Sequence, residues 1–189
     1  LYGMADLFII GQFNGVASIT VVSVGSQVMH MLTIMIVGLA MGSTVTIGKA
    51  VGAKHSGEVS KTVGNTITLF MGVSVICTAL LLFLVDPIVA VMSTPAKAAL
   101  ETAAYLTICF IGIPFITAYN IISSIFRGMG DSKTPMYFIA IACAANIILD
   151  YLFIGDFHMG AAGAALETTI AQTISVVTVS YTHLTLPTI

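Results

Sequence analysis

The chain has 189 residues, of which 58% are hydrophobic and only 7% charged, with a mean hydropathy of +1.07. A soluble domain carries about 25% charged residues, so the composition excludes a soluble globular fold and points to an integral membrane protein. A formal net charge of −2 leaves no basic surface for nucleic acid.

Six apolar runs follow in order, at about 1–10, 17–47, 63–85, 98–125, 136–154 and 159–179. Residue 1 is Leu and the chain opens inside the first run, so it reads as an internal fragment with its first helix truncated. The run at 17–47 exceeds the roughly 20 residues a span needs, and should tilt or protrude. Asp86-Pro87 marks the stop of the third run. Thr94-Pro95 and Thr134-Pro135 read as helix starts, threonine as N-cap and proline at the first helical position. Alternation at period two is absent, which disfavours a β-barrel. The expected fold is therefore an all-α, six-helix transmembrane bundle. The last ten residues, 180–189, break the aliphatic pattern with threonine, histidine and proline, and read as a non-native tail.

Charge in the loops gives an orientation. Lys49, Lys54, Lys61, Arg127 and Lys133 fall on one side and only Lys97 on the other. The positive-inside bias puts the 49–61 and 127–133 loops in the cytoplasm of a multi-pass plasma-membrane protein. Gly38/Gly42 and Gly48/Gly52 are spaced as G-x-x-x-G, and Gly160, Gly163 and Ala164 open the sixth run; all suit close helix packing in lipid. Pro114 removes one helix hydrogen bond inside the fourth run and should bend it. Cys77, Cys109 and Cys143 show no metal or redox spacing and read as small buried hydrophobes.

The polar residues inside the apolar runs are few. Asn146 and Asp150 are four apart, so a helix puts them on one face near the middle of a span. A carboxylate there costs about 2.5–3.5 kcal/mol on insertion scales, so it faces a bundle interior or a watery cavity and commonly handles a proton, an ion or a substrate. Asp6 lies in the first run, Glu167 and Thr168 in the sixth. If these runs meet, they form a pocket of carboxylates, an amide and a hydroxyl; the plain alternative is a structural hydrogen-bond network between helices. For Glu167 the structural alternative is favoured, because it sits only one to two turns from the membrane edge. His30, among Met29, Met31 and Met35, reads as a satisfied interior residue rather than a proton relay.

Gly128-Met129-Gly130-Asp131 spells G-x-G-D, a motif also found in intramembrane aspartyl proteases. Here it leads into a polar helix start, and the order Asp150-Tyr151 reverses the expected partner motif. No H-E-x-x-H, P-loop or nucleophile elbow occurs, so an enzyme is not expected.

The stretch Phe126–Pro135 (FRGMGDSKTP) resembles the RGxGDTKTP loop of MATE transporters, the multidrug and toxic compound extrusion family, at Arg127, Gly128, Gly130, Asp131, Lys133 and Pro135. Asn146–Ile154 resembles that family's fifth helix and Met159–Ala165 the start of its sixth. The resemblance implies half of a twelve-helix, two-lobe secondary antiporter. Such a protein exports small cationic drugs or toxic organic compounds in exchange for protons or sodium ions. Its partners would be membrane lipid and the carboxy-terminal lobe, and no cofactor is implied beyond the coupling ion. Asp6, Asn146, Asp150 and Thr168 match the family's cation site, where sodium could bind; Glu167 departs from the small residue usual before that threonine, and with His30 is a candidate modifier. The alternatives are a lipid-linked precursor or polysaccharide flippase of the same superfamily, and a non-transporting structural membrane subunit. The flippase would want basic residues inside its spans, and none is present.

Overall fold

The structure, a computed structural model, describes residues 2–13, 16–54, 56–92 and 96–185. Among these there is no strand. The helices are α1 (Tyr2–Phe13), α2 (Val16–Gly52), α3 (Ser56–Phe83), α4 (Val85–Val91), α5 (Ala96–Gly128), α6 (Lys133–Asp150) and α7 (Gly160–Thr185); a π-helical segment, Tyr151–Asp156, prolongs α6. Within the described residues four stretches are long and apolar enough to cross a membrane: Ser18–Gly52, Gly57–Phe83, Ala98–Gly128 and Lys133–Asp156. Helix α7 has the length but is diluted by Glu167, Thr168, Thr169, Gln172 and Thr173.

Helix α5 is the most buried of the four spans and touches α2, α3, α4, α6 and α7. Its face bearing Tyr105, Leu106, Phe110 and Ile113 packs with Ile10, Val21 and Ala165 of its neighbours into the main apolar core. Nearer its other end Ile121 and Ile125 pack with Ile47 and Phe70. In lipid the attraction between such helices comes from close packing and hydrogen bonds rather than the hydrophobic effect, and both are present. A side-chain carbon added at Gly112 would collide with Thr169 of α7, and one at Gly128 would lie 2.9 Å from the Thr44 carbonyl of α2. The Ser175 hydroxyl of α7 donates to the Phe138 carbonyl of α6 at 2.8 Å.

Pro114 does not interrupt α5. Its missing N–H frees the carbonyl four residues back, that of Phe110, and Thr78 of α3 donates its hydroxyl to that oxygen at 3.1 Å. The proline thus opens an acceptor that ties α3 to α5.

Several expected boundaries move. Asp86-Pro87 does not end the third span, because α3 stops at Phe83 and the proline sits in the first turn of α4, where no N–H is required. The Thr94-Pro95 start lies outside the described residues. Helix α6 begins at Lys133 rather than after Thr134-Pro135; Asp131 takes the capping role, accepting from the Lys133 and Thr134 amides at 3.0 and 3.1 Å. Helix α7 runs to Thr185, past the expected edge at 179. A side-chain carbon added at Gly38, Gly42 or Gly52 would meet nothing within 4 Å among the described residues, whereas one added at Gly48 would lie 3.4 Å from the Gly128 carbonyl. Only part of the G-x-x-x-G pattern therefore serves contacts within the bundle.

The two ends of the bundle are distinct. Thr44 bonds the Ser124 carbonyl at 3.2 Å, so the carboxyl ends of α2 and α5, with the turns that follow them, share one end. At the other, the Phe13 ring meets Tyr151 edge-on at 6.3 Å and lies 3.5 Å from where a Gly155 side chain would begin. Ser18, Glu101, His158 and Gly160 line one recess at that same end.

Candidate functional site

Three helices bring the intramembrane carboxylates together. Helix α1 carries Asp6, α6 carries Asn146 and, one turn later, Asp150, and α7 carries Glu167; α1, α6 and α7 touch one another. Asp6 is 5% exposed, Asn146 2%, and Asp150 and Glu167 are fully buried. One carboxylate oxygen from each of Asp6, Asp150 and Glu167 can be chosen so that all lie within 4.8 Å of one another.

Asn146 donates its amide N–H to Glu167 Oε2. Thr168 donates its hydroxyl to Glu167 Oε1 at 2.6 Å and reaches the Ala164 carbonyl at 3.2 Å. Glu167 is thus held at both oxygens. Asp6 Oδ1, Asn146 Oδ1 and both oxygens of Asp150 are buried with no hydrogen-bond partner. Buried polar atoms normally find partners, and four orphaned acceptors in one place are what a proton or a cation would satisfy. All six Lys and Arg residues lie near helix ends or loops, so no fixed positive charge neutralises the cluster from within the spans.

The expected site residues Asp6, Asn146, Asp150 and Thr168 therefore converge. Glu167, expected one to two turns inside the membrane, is buried and joins them through Asn146 and Thr168. Helical register places it there: Ala164, Glu167, Ala171 and Ser175 are all buried and recur at 3.6-residue spacing on the face of α7 from which Glu167 meets Asn146 and Ser175 meets the Phe138 carbonyl, both of α6. That row of small residues was the available signal. His30 does not join the site; it is exposed, as are Met31 and Met35.

The loop between α5 and α6 has its own architecture. Gly130 has φ +87°. The Asp131 amide donates to the Phe126 carbonyl at 2.9 Å and the Gly130 amide to that of Arg127 at 3.1 Å. This paired closure, with glycine in the left-handed position, is a Schellman stop. Asp131 then starts α6, also accepting the Thr134 hydroxyl at 2.5 Å, while Arg127 donates to Ser124 Oγ at 2.8 Å. Pro135 sits in the first turn of α6, where its missing N–H costs nothing. Gly130 and Asp131 thus end one helix and begin the next, Gly128 lets α2 approach and Pro135 is accommodated, all at the opposite end of α6 from Asp150.

The MatE family model matches residues 1–152. The chain belongs to the MatE family. Among curated relatives, this MatE chain is 33% identical over 170 residues to the "Probable multidrug resistance protein YpnP" of Bacillus subtilis (strain 168), covering 90% of this chain and 38% of that protein. It is 30% identical over 187 residues to the "Probable multidrug resistance protein NorM" of Thermotoga maritima, covering 96% and 40%. Among solved structures, a MATE in the bent conformation superposes with a TM-score of 0.90 at 24% identity, over 96% of this chain and 40% of the other. An inward-facing multidrug resistance MATE family transporter of the MOP superfamily gives 0.91 at 23% identity, over 99% and 42%. The fold of this MatE chain is thus that of a multi-pass membrane transporter lobe, and the chain spans about two fifths of the length of the relatives it matches.

Proposed function

We propose that this chain is the amino-terminal lobe of a secondary antiporter that exports cationic organic compounds in exchange for protons or sodium ions. The observation that carries the reading is the set of orphaned, fully buried oxygens on Asp6, Asn146 and Asp150 inside membrane helices. Burying charge without a partner costs several kcal/mol or more, so the cluster is stable only with a proton or a cation in place. Loading from one side and release to the other couples the ion gradient to rearrangement of α1, α6 and α7. Asp150 is the principal coupling residue; Asp6 and Asn146 supply further oxygens, and Thr168 holds Glu167. The multidrug names of the relatives support an organic substrate, and the charge bias of the loops supports an orientation with the 49–61 and 127–133 loops in the bacterial cytoplasm. The role is that of a carrier rather than an enzyme, completed by a second lobe that forms the other wall of the path.

Exchange of one monovalent ion for one monovalent organic cation is electroneutral, so each tenfold ion gradient supplies about 1.4 kcal/mol, or about tenfold accumulation. The test uses liposomes holding the full-length transporter that carries this lobe. An imposed proton or sodium gradient should drive a fluorescent organic cation across the membrane against its own gradient. Indifference to both gradients would reject the reading.

A further inference from the structure

We infer that the seam between α2 and α3 is a binding site for one anionic phospholipid of the inner leaflet. The inference depends on the orientation of the bundle and not on what the protein carries.

The seam has two sections in series. Near the inner ends of the helices, Ser43 and Thr46 of α2 and Thr62, Asn65 and Thr66 of α3 line a groove of about 510 Å³. Deeper in the membrane the seam continues as an apolar pocket of about 80 Å³, where Ile36 and Cys77 face Ile113 of α5. Leu39 and Phe70 line both sections and join them.

The two sections differ in chemistry. In the groove, Thr66 is only 7% exposed, and its hydroxyl has no hydrogen-bond partner among the described residues. A polar group so buried takes a partner from outside the chain. In the pocket the polar side chains are withdrawn: Ser74 donates its hydroxyl to the Met71 carbonyl at 2.8 Å, and Thr117 Oγ1 is buried.

The inner mouth is basic. Between residues 39 and 70 the charged residues are Lys49, Lys54, Lys61 and Glu58. Lys49 lies seven residues after Gly42 and Lys61 four before Asn65, spacings that keep each lysine on the groove side of its helix.

From the bilayer centre outward a phospholipid presents hydrocarbon, then ester and glycerol oxygens, then phosphate. The seam offers partners in the same order: an apolar pocket, hydroxyls with an amide, and lysines. Basic pockets between membrane helices on the cytoplasmic side are where anionic headgroups bind. A helix of a second lobe does not fit this series. It is about 10 Å across and cannot enter a pocket with room for about five to eight water-sized groups, whereas one acyl chain can. The rim residues Met35, Leu39, Leu69 and Val73 are exposed, so a chain can enter from the side.

The experiment places the full-length transporter in phosphatidylcholine liposomes with a trace of a photoreactive lipid. The probe is phosphatidylglycerol or phosphatidylcholine with a diazirine at the end of one chain, and peptide mass spectrometry maps where it attaches. The phosphatidylglycerol probe should attach beside Ile36 and Cys77 at least about fivefold more than the phosphatidylcholine probe, the factor one lysine supplies near an anionic headgroup. Lys49→Gln combined with Lys61→Gln should abolish that preference, with thermal unfolding reporting the fold; the comparison of the two probes on the wild type stands without the variant. Equal attachment of the two probes at the seam overturns the inference, as does a preference that survives in the double variant. Attachment of neither probe there also overturns it, and would show that the second lobe covers the seam. None of these results bears on ion-driven efflux, which is read separately.

Discussion

Asn146 on α6 and Glu167 on α7 are joined by a buried hydrogen bond in which the amide donates to the carboxylate. The bond links two helices and leaves Asn146 Oδ1 buried with no hydrogen-bond partner. Removing either partner strands a buried polar group.

Asn146→Ala should therefore destabilise the protein by about 1–3 kcal/mol, the cost of leaving a buried acceptor without its donor. Thermal unfolding of the purified protein measures it. The loss should be smaller in a Glu167→Ala background, because the acceptor is then gone too; equal losses in the two backgrounds would show that the pair is not coupled.

Thr78→Val removes the donor that serves the Phe110 carbonyl opened by Pro114. The expected loss is about 1–3 kcal/mol. Adding Pro114→Ala restores a backbone donor to that carbonyl, so the double variant should recover much of the stability. No recovery would mean that the hydroxyl serves another purpose.

Gly112→Ala places a methyl group against Thr169, whose β-branched side chain is stiff in a helix. Overpacking of this kind costs about 1–3 kcal/mol. Thr169→Ala in the same chain should relieve it, read as recovery of folded yield in the membrane. A harmless Gly112→Ala would show that α5 and α7 are not held at this separation.

Much of this was legible in the sequence, for identifiable reasons. A run of apolar residues in lipid must be helical, so α2, α3, α5 and α6 follow from hydropathy. Asp150 and Asn146 stood out because polar residues are rare in such runs. Helix α7 was harder to read, because a helix buried within protein tolerates polar residues, and its hydropathy no longer marks which residue faces the centre. The break at Leu84, the π-helical segment after Asp150 and the exposure of His30 depend on which faces other helices cover. Hydropathy carries no such information.

Topology follows from the arrangement of the ends. In a background with Cys77, Cys109 and Cys143 replaced, cysteines at Met129 and Phe157, both exposed, should react with an impermeant thiol reagent from opposite sides of the membrane. Reaction from the same side would contradict the assignment of α6 as a span.

The most direct test of the central claim is Asp150→Asn in the full-length transporter, reconstituted in liposomes and assayed with imposed proton and sodium gradients. The substitution keeps the side chain's size and removes its charge at the residue with two orphaned oxygens. Gradient-driven export of the organic cation should fall by about a hundredfold or more, as expected for loss of a residue the coupling step cannot do without, with the protein still folded by thermal unfolding. Export at the wild-type rate would remove Asp150 from the mechanism and leave the cluster a structural network.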